Sequence, residues 1–588
     1  MRLLGRSICL VVLLSLGASL ALAQESDSAV PATFSLDDAL AVVVVGDLHG
    51  FIENANALVS QFPAGISISE IKSQIGSGFD DPMLEGIAPG TGGAFAVFPG
   101  KCLTIFLQVT PEKIEAYKDA ATTRGIPCDI ASGLLVMGQT DPQLATAKSV
   151  AAKVKSRYLA QNHNPTLEVN IFPPKVASVY GREIEEYIDQ VAAESPMGDG
   201  ASSVTLMDAQ QLGAAYFRIY YSVFKQVDSV LLRLSPSTDV VKIEKIVKPI
   251  AGSRLATFFA APVEKNDDLI GLLPDQGGLR GAFAINGQAM GDFILVEMAE
   301  AFQKAKIDPA QSATLIQTTK DSFAVGLGTG VFELFVPGNQ ALFSGFGIYE
   351  TKDDVSAANL VKSTQKSIEA MQGILGGLEG SQAGVPIFEF KENVRQYKNL
   401  PIHQLRVNQA NPGLVIVEDF FGKGGLLYEM ATVGKHLVYA MGCPIEPLID
   451  SVQAGKSSQI APLASEKIYG GDSRILVDLN LGRIAKVVSQ VLDLDKGTAP
   501  GQPNPMDSVV AAMASAQPIM AAVKWNASQL EGSLIIPVNT ITSASQAIMA
   551  FSMQAMMQQQ QGAMEGQMPP TEGSMMSPSE APAASPAQ

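Results

Sequence analysis

One unit of local structure is written again and again along this chain: an apolar run of strand length, a polar cap, then an amphipathic stretch. Phe106-Leu107-Gln108-Val109 runs into Thr110-Pro111-Glu112 and then KIEAYKDA. Residues 134–137 run into Thr140-Asp141-Pro142 and then QLATAKSVAAKV, and residues 438–441 run into Cys443-Pro444 and then IEPLIDSV. Thr or Asp ahead of Pro marks a helix start, because the side chain can accept an orphan backbone N–H while Pro lacks the one it would waste. At Cys443 the cap is poorer.

These units recur in order. Residues 93–117 (strand, Pro-Gly turn, strand, helix) are echoed by 331–358, and the strand–helix pair beginning at Gly133 by the one beginning at His436. Residues 166–188 are echoed by 473–492, and 225–235 by 524–536. Ordered recurrence predicts duplication: two tandem copies of one α+β unit, over 34–252 and 253–550. Pro-Gly turns between strands favour antiparallel pairing with helices on one face. The second copy is longer, and residues 380–432 read as extra short strands broken by Asn-Pro-Gly and Gly-Lys-Gly-Gly. From residue 551 to 588 the pattern stops. Residues 552–588 hold seven Met, five Pro, three Glu and no basic or aromatic residue, so the segment reads as a disordered tail that cannot bury enough surface to order itself.

Composition narrows the functional classes. With 47% hydrophobic and 17% charged residues, the chain can build a sizeable core. A net charge of −17 argues against nucleic acid and against anionic membrane surfaces as partners. Residues 1–23 form a secretory signal peptide by pattern: Arg2 and Arg6, an apolar run, then Ala21-Leu22-Ala23 before Gln24. The mature protein is therefore expected to be periplasmic or extracellular, with no membrane insertion once the signal is removed.

Export places Cys102, Cys128 and Cys443 in an oxidising compartment. Cys102 and Cys128 lie in strand-like runs that flank one predicted helix, which makes them the disulfide candidate. The alternative is a pair of buried free thiols.

Val42-Val43-Val44-Val45-Gly46-Asp47-Leu48-His49-Gly50 carries the one pattern that looks like chemistry. A hydrophobic strand ending in Gly-Asp-x-His-Gly resembles the first metal-binding motif of calcineurin-like metallophosphoesterases. That resemblance implies Asp47 and His49 on two metal ions that activate water for displacement at phosphorus. The family's later motifs are not matched. Gly76-Ser77-Gly78-Phe79-Asp80-Asp81 stands where its Gly-Asp-x-x-Asp belongs, and Gln161-Asn162-His163-Asn164 is the nearest piece to its Gly-Asn-His. His403 and His436 are single histidines in strand-like runs. A structural reading competes, because residues 45–52 nearly match 477–484 and both leave a strand for a helix. Asp47 would then be a helix-start residue and His49 incidental.

Weaker signals remain. The tail methionines, with Met553, Met556 and Met557 at helical spacing, are soft ligands suited to Cu(I). Residues 214–224 (AAYFRIYYSVF) and 506–523 read as helices apolar around most of their circumference, which are core helices or the walls of a cavity. The favoured function is a non-catalytic binding or scaffold protein for an unidentified protein or apolar ligand, with no cofactor. The alternatives are a divergent metallophosphoesterase using Asp47 and His49, and copper binding by the tail.

Overall fold

The computed structural model describes residues 34–565, apart from the segments 60–67, 194–202, 264–266, 325–327, 337–343, 376–387, 408–425, 456–461 and 497–504 and residues 101, 161, 306 and 308. It is a mixed α/β structure with one large antiparallel sheet of eighteen strands and fifteen α-helices among the described residues.

The first stretch of chain gives β1 (Ala41–Val45), α1 (Leu48–Val59), α2 (Ile68–Gly76), β2 (Gly93–Phe98), β3 (Cys102–Leu107), α3 (Ile114–Thr123), β4 (Cys128–Ala131), β5 (Leu134–Gly138) and α4 (Asp141–Val154). It continues with β6 (Leu167–Ile171), α5 (Pro173–Ala193), α6 (Ser203–Lys225), β7 (Val227–Pro236), β8 (Val240–Pro249) and α7 (Arg254–Ala260). Next come β9 (Leu279–Ala284), α8 (Gly287–Lys304), α9 (Pro309–Ala324), β10 (Thr329–Leu334), β11 (Gly345–Glu350) and α10 (Asp354–Leu375). After these follow β12 (Phe388–Tyr397), β13 (Leu400–Val407), β14 (Leu427–Val433), β15 (His436–Met441), α11 (Glu446–Ala454) and α12 (Glu466–Tyr469). The chain closes with β16 (Ile475–Leu479), α13 (Leu481–Lys496), α14 (Pro505–Met513), β17 (Ile519–Asn526), β18 (Gln529–Pro537) and α15 (Val538–Glu565).

The strands pair in the spatial order β4, β5, β3, β2, β1, β6, β7, β8, and then β18, β17, β16, β9, β10, β11, β15, β14, β13, β12. β8 and β18 form the seam at the centre, with Glu244 opposite Ser533 and Ile243 opposite Leu534. Followed outward from that seam, both arms visit their strands in the same pattern, and β12 and β13 extend one arm. Both edges carry charge, which opposes edge-to-edge association. On the four-residue β4, Asp129 bonds Lys118 at 3.1 Å. On β12 the Lys391 and Glu389 side chains pair at 2.8 Å.

One row of register partners explains where the cores lie. At one end it runs through Val136, Phe106, Ala94 and Val44; at the other through Ala282, Val331, Ile348, Val438 and Ala431. Between them it passes Glu168, Arg233, Glu244 and Ser533. The apolar ends are covered by α4 through Ala147, Val150 and Val154, and by α11 through Leu448 and Ile449. The polar middle is held by Arg233, whose Nε donates to Glu168 at 2.7 Å and whose Nη1 reaches Glu244 at 3.4 Å.

The opposite faces of both ends are also covered, by α1–α3 on Leu135 and Met137 and by α10 on Met430 and Leu437. Helices on one face alone was the expectation, and it is corrected by β5, where all five residues are buried. A strand apolar on both faces needs cover on both.

Two further expectations are revised. Residues 506–523 form not one helix but α14 and then β17, split before Pro518, which disfavours helical geometry in the preceding residue. The tail continues as helix to Glu565, because Ala, Met and Gln are good helix formers; residues 566–588 lie outside the described residues, as do the turns at 411–413 and 422–425 and the signal segment.

Candidate functional site

At the exit of β1 the chain turns directly into α1, and Asp47 is the pivot. Its Oδ1 accepts Gly50 N–H at 3.0 Å and Gly90 N–H at 3.2 Å, while its own N–H donates to the Asn164 carbonyl at 3.0 Å. The exits of β9 and β16 use the same device: Asn286 Oδ1 accepts Ala289 N–H at 2.9 Å, and Asn480 Oδ1 accepts Arg483 N–H at 3.0 Å. The capping position at the second site is thus Asn480, one residue beyond the position that pairing residues 45–52 with 477–484 assigns to Asp47.

His49 points Nε2 at two carbonyl oxygens, Leu84 at 3.1 Å and Ile87 at 2.8 Å. Two carbonyl acceptors require Nε2 to carry the proton, which leaves Nδ1 as the nitrogen with a lone pair. The Asn-His fragment does come to this loop. His163 Nδ1 donates to the Gly90 carbonyl at 3.0 Å, and Asn162 packs so closely that a Cβ on Gly46 would lie 2.4 Å from Asn162 Oδ1. The residues of the metal-motif resemblance are therefore neighbours, and the contacts that join them run through backbone groups. Among the described residues no group of three or more His, Cys, Asp and Glu side chains is placed to hold a metal ion. His403 stacks on Phe390 with ring centroids 6.3 Å apart, and burial lowers the imidazole pKa of both His403 and His436.

Cys102 and Cys128 are free thiols, as is Cys443. β5 lies between their two strands, Cys128 shares a register row with Met137 and Ile105, and Cys102 is three residues further along β3. Side chains alternate between faces along a strand, so the two sulfurs lie on opposite faces of the sheet. The expected bridge does not fit this geometry.

A second site was not singled out from sequence. α5, α6 and α8 enclose a crevice of about 230 Å³ lined by charged side chains. Ala301 lines it and also belongs to the close packing of Ala215, Phe302 and Ala305 between α6 and α8. Glu297, on α8, is 1% exposed. Its Oε1 accepts from Gln226 Nε2 at 2.7 Å, Arg254 Nε at 2.9 Å and Arg254 Nη2 at 2.8 Å. Its Oε2, equally buried, has no partner among the described residues.

Local structure holds this acid in place. Gly252, with φ of +74°, turns the chain after β8; Ser253 then caps α7 by accepting Ala256 N–H at 3.1 Å, which puts Arg254 at the helix start facing Glu297. Gln226, just past α6, is fixed by accepting Leu255 N–H at 2.9 Å.

At the other end of the crevice Arg218 on α6 pairs through Nη2 with Asp189 on α5 and leaves Nη1 buried without a partner. Residues 214–224 are thus not a helix buried all round. Ala214 and Ala215 are packed, Arg218, Tyr221 and Ser222 line the crevice, and Tyr216, Phe217 and Tyr220 face outward. The chain's signal for this site was a glutamate inside the apolar run FILVEMAEAF and an arginine inside AAYFRIYYSVF.

The chain matches no protein-family model, no curated protein and no solved structure. Function has to be argued from the site. Among the described residues no helix is long and apolar enough to cross a membrane.

Proposed function

We propose that this chain is an exported, non-catalytic binding protein, built from two copies of one α+β unit, that holds a small charged ligand between α5, α6 and α8. The observation that carries the binding reading is Glu297: a buried carboxylate in the wall of a charged crevice, with one oxygen fully bonded and the other sealed without a partner among the described residues. An unsatisfied buried carboxylate oxygen is costly unless something completes it, and a ligand in the crevice would reach it only by displacing a wall side chain. The duplication is supported by the matching strand order of the two arms, meeting at β8 and β18. On that reading β7 corresponds to β17, whereas the sequence echo paired it with the segment running from the end of β17 into β18. Export rests on the signal pattern of residues 1–23.

Against the metallophosphoesterase alternative stand the hydrogen bonds of Asp47 Oδ1 and His49 Nε2, which both serve the loop. The copper alternative keeps one favourable observation: Met553 and Met556 lie one turn apart on α15 and are 57% and 58% exposed. Native mass spectrometry of the mature protein purified without chelator tests all three. A small-molecule adduct that Glu297→Gln abolishes supports the binding reading. Divalent metal lost with Asp47→Ala, or Cu(I) lost on truncation after residue 551, would replace it.

A further inference from the structure

We infer that the outer half of α15 is a self-association surface whose partner is a second copy of this chain. The inner half belongs to the body. Ala544 and Ala547 pack with Met513 and Ala485, Thr540 Oγ1 donates to the Gln517 carbonyl at 2.6 Å, and Asn539 Nδ2 donates to that of Ser515 at 3.2 Å. Beyond Ala547 the helix leaves the body. Ile548, Phe551, Met553 and Met556 are 51%, 52%, 57% and 58% exposed, and Ser552 is exposed as well. Successive helical residues are about 100° apart, so residues 551–553 together with 548 and 556 span more than half of the circumference. Clustered large apolar side chains left in water mark a surface that a partner covers.

Charge selects the occupant. Residues 538–564 contain no Asp, Glu, Lys, Arg or His, whereas every other described α-helix carries at least one charged residue in a shorter span. The chain as a whole has a net charge of −17, so two copies repel wherever their charged surfaces approach. On α15 they meet without bringing like charges together, and antiparallel pairing keeps the two acidic bodies at opposite ends. A two-fold interface sets one patch against itself and so needs self-complementary chemistry. The sequence supplies it: Ala, Met, Ile and Phe match their own kind, and the polar residues of 538–564 are Ser, Thr, Asn and Gln, each both donor and acceptor. A partner of opposite charge would find nothing here to pair with. Aromatic residues and Met, with charged residues depleted, are also the composition of interface cores. From Ile548 to Glu565 the helix runs about 27 Å. One helix pair of that length falls at the small end of interface sizes, so the dimer is weak and reversible.

The test is sedimentation velocity of the full mature chain from about 1 to about 100 μM, the range in which a weak dimer forms. The sedimentation coefficient should rise with concentration toward that of a dimer. High salt, which screens the repulsion between the acidic bodies, should strengthen the association. The double variant Ile548→Glu/Phe551→Glu sets like charges against each other and should weaken it by about tenfold or more. Both positions are exposed, so the thermal unfolding midpoint should not move, and the methionines of the copper alternative stay in place. Ile548→Leu/Phe551→Leu should still associate, which guards against a general disturbance of α15. A chain that stays monomeric over the whole range, or a dimer that the glutamate variant leaves intact, overturns the inference. A monomer that co-sediments with phosphatidylcholine vesicles would overturn it too and assign the same face to a lipid surface. None of these outcomes involves Glu297, so the binding reading stands or falls separately.

Discussion

Arg280 and Glu333 are register partners on β9 and β10, and both are at least nine-tenths buried. In the matching place on the other arm, β1 and β2 set Val42 opposite Ala96, both fully buried in an apolar core. One arm therefore carries charge at a position where the other carries hydrocarbon. The charge is organised locally: Arg280 Nη1 pairs with Asp275 at 2.8 Å, Arg483 Nη1 reaches the same carboxylate at 3.0 Å, and Glu333 accepts Asp275 N–H at 3.1 Å together with the N–H groups of Gln276 and Gly277.

Glu333→Ala should cost about 3–5 kcal/mol, because it strands three backbone donors around a buried position. Glu333→Gln keeps an acceptor oxygen and should cost less. Burial pushes the Glu333 carboxyl above the usual glutamate range, against the opposing pull of Gly277 N–H, Gln276 N–H and Arg280. A folded-state pKa raised above the unfolded one gives stability that is complete below the unfolded pKa and lost as pH rises through the folded one. Urea unfolding across the mildly acid to neutral range should therefore show a fall with pH that Glu333→Gln flattens. Parallel curves for wild type and variant would remove the assignment.

The exit loop of β1 gives a sharper contrast between structure and chemistry. Asp47→Asn keeps the capping oxygen and should be nearly neutral, whereas Asp47→Ala should cost about 1–2 kcal/mol through the lost cap. His49→Leu should cost about 1–3 kcal/mol, since the Leu84 and Ile87 carbonyls lose their donor. Thermal unfolding measures each loss, and elemental analysis of the same samples should show no change. A variant that leaves the unfolding midpoint unmoved while abolishing metal uptake would restore the metal reading.

Local grammar was legible in the sequence; the meeting of distant faces was not. The β1 strand, its turn at Asp47 and α1 could be read off because cap and hydrophobic period are properties of neighbouring residues. Residues 93–117 were equally plain, since Pro99-Gly100 fixes the turn between β2 and β3, with Gly100 at φ +71°. Glu297 and Arg218 were missed for the opposite reason. Each interrupts an apolar helix, but nothing in either segment shows that α6 and α8 present these residues to one crevice. Likewise Cys102 and Cys128 flank one helix in sequence, while the insertion of β5 between their strands separates them in space.

The thiols give a direct check on that separation. Burial pushes the Cys102 thiol up to about 11 and the Cys443 thiol up to about 12, so neither is a ready nucleophile at neutral pH. Cys128 is less buried, with Thr122 Oγ1 and the Lys118 carbonyl each 3.3 Å from its sulfur. Native alkylation should label Cys128 first, and denaturation without reductant should expose all three thiols. A mass gain of two hydrogens on reduction would show a disulfide and contradict the strand order.

The last prediction concerns close backbone–ring packing in the second arm. Gly347 on β11 is the register partner of Tyr439 on β15, and the ring lies over the glycine so closely that a Cβ there would meet it at 2.0 Å. Tyr439 in turn stacks on Tyr349, with centroids 5.4 Å apart. Gly347→Ala must push the ring off that stack and should cost about 1–3 kcal/mol by overpacking. Tyr439→Ala removes a large buried side chain and should cost about 3–5 kcal/mol. In the double variant the added methyl meets no ring, so the combined loss should fall short of the sum by about 1–3 kcal/mol. Urea unfolding of the four proteins measures this coupling, and simple additivity would mean that the ring does not lie on Gly347.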